Sequence, residues 1–238
     1  MERKKRTRAT RIAPLDAWDQ TAPARPYVTR QELVRQALAV LDDAGFDGLT
    51  MRRVAERLGV QAASLYNHVR DKDELLALLA DAISGELPAI DPHMPWRQQL
   101  ETAAREYRRL LHAHRDAARL LATTPPIGAR RVQTMEQLLD VLCRAGCPDE
   151  DVADAAFVFN TFVIGFVLDE TQAIRHPGAS HEEFAEQVRQ WFRALPPERF
   201  PRLVALTDRL FDPDPNRRFE FGLKMLLDGL ELRPRRPG

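Results

Sequence analysis

Residues 49–72 read LTMRRVAERLGVQAASLYNHVRDK, and their spacing decides the fold of the N-terminal part of the chain. Two short helices joined by a tight turn must cross closely, so the crossing point needs a small side chain, and Ala55 supplies it. Four residues later Gly59 offers a backbone that can turn left-handed without a Cβ penalty. Thr50 stands where a cap is needed for the first of the two helices. Val54, Leu58, Val60 and Leu65 are spaced to fill the wedge beneath. The second helix then turns Gln61, Ala62, Ser64, Asn67 and His68 outward, all short or polar, which suits close approach to base edges in a major groove. An ordinary helical hairpin has similar spacing, so these residues alone leave both readings open.

Outward from this stretch the pattern stays helical. Thr29 and Glu32 have the spacing of a capping box, followed by Leu33, Val34, Ala37, Leu38 and Leu41 on one face and Gly45 at the end. Asp71 with Glu74 opens a further helix with Leu75, Leu76, Leu78, Leu79 and Ile83 on its apolar side. The segment PAIDPHMP (88–95) breaks the chain and is expected to divide it. Beyond it, helices are expected near 96–113, 115–123, 128–145, 149–175, 181–194, 201–211 and 215–232, separated by proline and glycine clusters, with Ser180 and Glu183 as another capping box. Strand-type alternation and fixed repeats are missing, so the expected fold class is all-α. The expected organisation is an arm and linker at 1–28, a helix-turn-helix domain at 29–87 and a larger helical domain at 96–232.

The formal net charge is zero, with 35 basic and 35 acidic residues, yet the charge is unevenly placed. Residues 1–72 carry 14 Lys and Arg against 9 Asp and Glu, and the remainder carries 21 against 26. The positive end coincides with the motif, which points to a polyanion there. Within it Arg3, Lys4, Lys5, Arg6, Arg8 and Arg11 form a basic arm expected to reach DNA beside the motif. No apolar stretch follows that arm to make a secretory signal, and no run of 18 apolar residues occurs, so a cytoplasmic protein with no membrane partner is expected. Cys143 and Cys147 are too few for a zinc site or a disulfide framework and read as a reduced pair, a redox switch being the alternative. His112 and His114 lie two apart, on different helix faces, and cannot easily share a metal. Neither a nucleophile elbow, a phosphate loop nor a metal motif supports an enzyme, and no cofactor is expected.

The longer stretch GFDGLTMRRVAERLGVQAASLYNHVRDKDELL closely resembles the N-terminal domain of the tetracycline-repressor family of bacterial regulators. The resemblance rests on Gly45, Phe46, Thr50, Val54, Ala55, Leu58, Gly59, Val60, Leu65, Tyr66, His68, Val69, Lys72 and Leu75 at the family's spacings. It implies that Thr50 hydrogen-bonds a phosphate and that Arg52 reaches a base, guanine by its chemistry. It also places Gln61, Ala62, Ala63 and Ser64 at the entry of the recognition helix, Tyr66 and His68 on the phosphate backbone with Asn67 between them, and Lys72 on a phosphate at a helix N-terminus. Alanine at 62 and 63 departs from the family's namesake, so that protein's operator does not transfer.

The later segments YRRLLHAHRDAARLLATTPP and TFVIGFVLDE resemble the family's effector domain more loosely. In the namesake a drug–magnesium chelate is held by two histidines and a carboxylate, which fall here on Leu87, Leu121 and Asp169. With both histidines replaced, the resemblance implies a small organic effector and no metal. Asn160 and Thr161 interrupt an apolar helix and could orient such a ligand, or the whole helix could serve core and dimer packing. The resemblance further implies a homodimer on double-stranded operator DNA, formed by pairing 149–175 with 215–232, where Phe219, Leu223, Leu226, Leu227 and Leu230 repeat. A global or architectural DNA binder without an effector is the alternative.

Overall fold

The computed structural model describes residues 28–171, 181–211 and 214–232, and among these all regular structure is helical. The basic arm and Ser180 lie outside the described residues. The helices are α1 (Arg30–Gly48), α2 (Met51–Leu58), α3 (Ala62–Leu65), α4 (Lys72–Ser84), α5 (Trp96–Ala113), α6 (Ala117–Thr123), α7 (Ala129–Arg144), α8 (Asp149–Thr171), α9 (His181–Arg193), α10 (Pro201–Leu210) and α11 (Pro215–Glu231).

The first four helices form around Leu33, Ala37, Leu41, Leu49, Val54, Leu65 and Leu75, all of them fully buried. Burying each of the larger ones contributes roughly 1.5–3 kcal/mol. Thr29 Oγ1 accepts the Glu32 N–H at 3.1 Å and starts α1. The expected reciprocal bond is absent, because the Glu32 carboxylate accepts from Arg35 and Gln36. Those bonds hold Glu32 down at about 2. Gly45 does not end α1 outright. It breaks the helix with φ 71° and ψ 179°, and a last turn carries on to Gly48. A side chain at 45 would be strained by that φ, and its Cβ would stand 2.6 Å from Asp116 Oδ2.

The larger unit places α8 against α5, α6 and α7, with α11 packed on α5 and α8. Val163 and Val167 of α8 and Phe219, Leu223 and Leu227 of α11 are essentially buried there. Phe162, Phe166 and Phe219 meet at ring-centroid distances of 5.3–5.7 Å. α4 belongs to both units, touching α1 on one side and α6 and α7 on the other. The helix-free segment after α4 is held by buried Gln99, whose amide donates to Pro92 O at 3.1 Å and Met94 O at 2.6 Å. α9 and α10 pack mainly on each other.

By length and composition α8 is the one described helix able to cross a membrane, with a mean hydropathy of 1.7 over its most apolar window. Only part of that surface is covered within the chain. Phe157 is 69% exposed and Val158 51%, beside exposed Thr161 and Gly165. On α11, Phe221 is 64% exposed and Met225 60%. The sequence expectation for α11 is therefore corrected by half a turn. Leu223 and Leu227, expected at a dimer seam, are core residues of their own chain, and a second stripe of Phe221, Met225, Gly229 and Leu232 faces outward.

Candidate nucleic-acid interface and its junction with the effector domain

The turn between α2 and α3 is built as its residues demand. Thr50 Oγ1 accepts the Arg53 N–H at 3.2 Å and caps α2. Gly59 closes it at φ 67°, and Val60 N–H donates back to Ala55 O at 3.0 Å. Ala55 is 2% exposed at the crossing, where a larger side chain would push the helices apart. α3 is a single turn, and Leu65 and Val69 anchor it from below.

Around that anchor the expected residues lie on α2, on α3 and the turn after it, and at the start of α4. Arg52, Gln61, Ala63, Tyr66 and Asn67 are exposed, and Ala62, Ser64, His68 and Lys72 are half-buried. Thr50 sits at the entry of α2, and Lys72 is the first residue of α4, behind the Asp71 cap. The Lys72 ammonium lies 5.8 Å from the centroid of the Phe46 ring.

Phe46 also joins this surface to the larger unit. The Arg119 guanidinium of α6 lies 4.5 Å from the same ring and donates twice to the Asp47 carboxylate, each bond 2.9 Å. Those bonds hold Asp47 below the usual carboxylate range, and Lys72 adds to the effect. Asp116, the residue before α6, adopts a left-handed φ of 57°, the one non-glycine to do so among the described residues. Such a conformation is uncommon outside glycine, and Asp tolerates it better than most. Its carboxylate accepts the Phe46 N–H at 2.7 Å, at the break in α1. His114, mostly buried, contacts Glu86 at 3.0 Å through Nε2, while Nδ1 lies 3.6 Å from Asp42 without a hydrogen bond. His112 contacts Glu170 at 2.7 Å, so the two histidines take different acidic partners. A shallow groove of about 420 Å³ opens at this junction, lined by Gly45, Asp47, His112, His114, Asp116 and Arg119 among others.

The expected effector residues are more scattered. Leu121 is 3% exposed in the core and Leu87 half-buried, whereas Asn160, Thr161 and Asp169 occupy exposed positions of α8. Two polar groups that the sequence reading missed face the interior. Burial pushes the Tyr107 phenol up, against the opposing pull of Arg131. Arg131 is itself lowered by burial, and its guanidinium closes the C-terminal end of α6 with bonds to Leu121 O, Thr124 O and Pro125 O of 2.9–3.3 Å. A tyrosine at helical spacing reads as core, and an arginine beside a Pro-Pro break reads as surface, so neither carried a signal. Among the described residues no group of three His, Cys, Asp or Glu side chains could hold a metal, and Cys143 is an exposed free thiol.

Comparison with known proteins resolves the hairpin ambiguity. A profile described as bacterial regulatory proteins of the tetR family matches residues 33–79, and one described as a tetracyclin repressor-like C-terminal domain matches 87–233. The chain belongs to the tetracycline-repressor family. It is 37% identical to the class A tetracycline repressor protein of transposon 1721 from Escherichia coli, over 84% of this chain and 89% of that one. Among solved structures, ActR of Streptomyces coelicolor in complex with actinorhodin superposes with a TM-score of 0.78 at 35% identity, covering 86% of this chain and 96% of that one. BioQ of Mycobacterium smegmatis, solved with its double-stranded DNA operator, gives 0.64 at 29% identity, covering 87% and 99%. Members of this tetracycline-repressor family are transcriptional regulators, and the all-helical architecture of a helix-turn-helix unit with a larger helical domain is theirs.

Proposed function

We propose that the chain is a cytoplasmic, homodimeric repressor that holds a pseudopalindromic operator and releases it when a small organic effector binds. The observation that carries this reading is the α2–α3 surface, where Gln61, Ala63, Tyr66 and Asn67 stand exposed on a rigidly capped turn. Residues 29–87 form the DNA-reading domain and 96–232 the effector and dimerisation domain, with α4 passing between them. Arg52, Gln61, Ala62, Ala63, Ser64 and Asn67 meet base edges. Thr50, Tyr66, His68 and Lys72 hold phosphates, and the arm from Arg3 to Arg8 adds electrostatic attraction.

The outward stripes of Phe157, Val158 and Thr161 on α8 and Phe221 and Met225 on α11 pair with their copies across a two-fold axis, forming a four-helix seam. The axis presents two recognition helices about 34–36 Å apart, one turn of DNA. BioQ bound to its operator and ActR bound to actinorhodin support the two halves of the cycle. The effector enters between α4, α5, α6, α7 and α8, beside Leu87, Leu121 and Tyr107, with no divalent metal. Asn160, Thr161 and Asp169, on the outer side of α8, reach an effector only where the partner copy completes the wall. Binding shifts α6, and Arg119, Asp116 and Phe46 carry the shift to α1 and Lys72.

The test uses the purified full chain on selected operator DNA. Arg52→Ala should lower operator affinity about tenfold to a hundredfold and relax preference at one position. Lys72→Ala should weaken all sequences alike. Identical specificity profiles for the two would contradict the assigned roles. Effector-driven release that stops with a chelator and returns with magnesium would contradict the metal-free reading.

A further inference from the structure

α2 carries three arginines, and the chain uses them differently. Arg57 turns back onto α1, donating from Nε to Gln36 at 3.0 Å and from Nη1 to Asp43 at 2.5 Å. Arg53 donates from Nη1 to Gly48 O at 3.1 Å. Arg52 makes one bond, from Nε to Glu56 Oε1 at 2.7 Å, one turn further along the same helix. Both its terminal nitrogens are unpaired among the described residues, and its side chain is 86% exposed.

A guanidinium offers two edges to an acceptor pair. The carboxylate of Glu56 occupies the Nε side, which leaves the two parallel N–H groups of the Nη1–Nη2 edge available on a side chain that is largely exposed. That edge matches two neighbouring acceptors, and the O6 and N7 of guanine are such a pair. An arginine without this anchor has many rotamers and serves a phosphate as readily as a base. Glu56 is itself 58% exposed on a surface that faces a polyanion, where a carboxylate repels phosphate. As a device for stability alone the pair is weak, since exposed i,i+4 pairs contribute little.

We propose that Glu56 is a positioning residue for sequence discrimination, holding Arg52 in a posture that reads guanine and withholding it from phosphates. This rests on the reading of α2 and α3 as the DNA-reading surface. Glu56 lowers affinity for DNA in general and raises preference at one base pair of each half-site.

The experiment selects bound duplexes from a randomised double-stranded DNA library with full-length wild type, Glu56→Ala, Glu56→Gln, Arg52→Ala and the Glu56→Ala/Arg52→Ala double variant. Each is then titrated on the winning duplex and on a scrambled one across a range of salt. Glu56→Ala should reduce the preference at a single guanine about tenfold. It should bind the scrambled duplex more tightly, with a steeper salt slope. Arg52→Ala should reduce preference at that same position, and the double variant should lose no more than Arg52→Ala alone. Glu56→Gln keeps an acceptor for Nε without the charge, so it should retain the preference while binding scrambled DNA more tightly. Wild-type preference at every position in Glu56→Ala, or an even loss across all positions, would overturn the proposal. Failure of the wild type itself to select any sequence would overturn the DNA reading, and this proposal with it.

Discussion

Two outward surfaces of the molecule are incomplete in opposite ways. The surface of α2 and α3 is polar, with Arg52, Gln61, Tyr66 and Asn67 exposed above a buried anchor of Val54, Leu65 and Val69. The surface of α8 and α11 is apolar, with Phe157, Val158, Phe221 and Met225 each at least half exposed above buried Val163, Leu223 and Leu227. One exposes polar side chains able to donate and accept hydrogen bonds, and the other offers apolar area that water covers poorly. The difference teaches that the two surfaces need different partners. In our proposal a groove of base edges completes the first, and a second copy of the chain completes the second.

The sharpest way to break this comparison is to charge the apolar surface. Met225→Glu combined with Phe221→Lys should leave the helical content intact and yield a monomer by sedimentation. Operator affinity should then fall about 10²–10⁴-fold, the gain otherwise obtained by holding two half-sites together. Leu227→Glu, half a turn away, should instead unfold the chain, because that position is fully buried. A folded monomer from Leu227→Glu, or an intact dimer from the outward pair, would reverse the assignment of the two stripes.

The link between the surfaces gives the next effect. Arg119→Ala removes the stacking on Phe46 and both bonds to Asp47. Effector should still bind, but its reduction of DNA affinity should shrink by about 5- to 150-fold, the usual range of coupling between sites. Unchanged release would move the coupling elsewhere. On the polar side, Ala55→Leu overfills the crossing of α2 and α3 and should destabilise the fold by about 1–3 kcal/mol, read by thermal melting. Lys72→Ala should reduce the slope of affinity against salt by roughly 0.9 at each half-site.

The smallest effect concerns acid. Asp47 is held below the usual carboxylate range by Arg119. A depressed carboxylate stabilises the folded state above its unfolded value and loses that contribution as pH falls through its folded value. The junction should therefore persist through mildly acidic conditions and weaken only below the ordinary carboxylate range. Asp47→Asn should reduce the acid dependence of melting, leaving the part contributed by other depressed carboxylates such as Glu32.

Much of the polar surface was legible because its determinants are local. Thr50, Ala55 and Gly59 act on residues three to five positions away, and the structure uses each as its spacing requires. Helix ends fall within a few residues of their proline and glycine signals for the same reason. The apolar surface was harder. α11 carries two apolar stripes, and periodicity gives the angle between them without telling which one its own chain buries. The junction was harder still, since Gly45, Phe46 and Asp47 gain their meaning from Asp116 and Arg119, some seventy residues distant. Tyr107 and Arg131 come from separate helices for the same reason. Asn160 and Thr161, polar breaks in an apolar helix, occupy its exposed side. Local spacing reports on turns and caps, while cavities and seams are made by distant packing.

The central claim is that α2 and α3 read defined sites as a pair. Its most direct test is to mix the purified full chain with sheared genomic DNA of its own source and sequence the fragments it retains. The account predicts few enriched fragments, each with two inverted half-sites whose centres lie one helical turn apart, about 10–10.5 base pairs. It also predicts that the enrichment vanishes for the Met225→Glu/Phe221→Lys variant. Broad, unpatterned coverage, equal in wild type and variant, would contradict it and favour an architectural DNA binder.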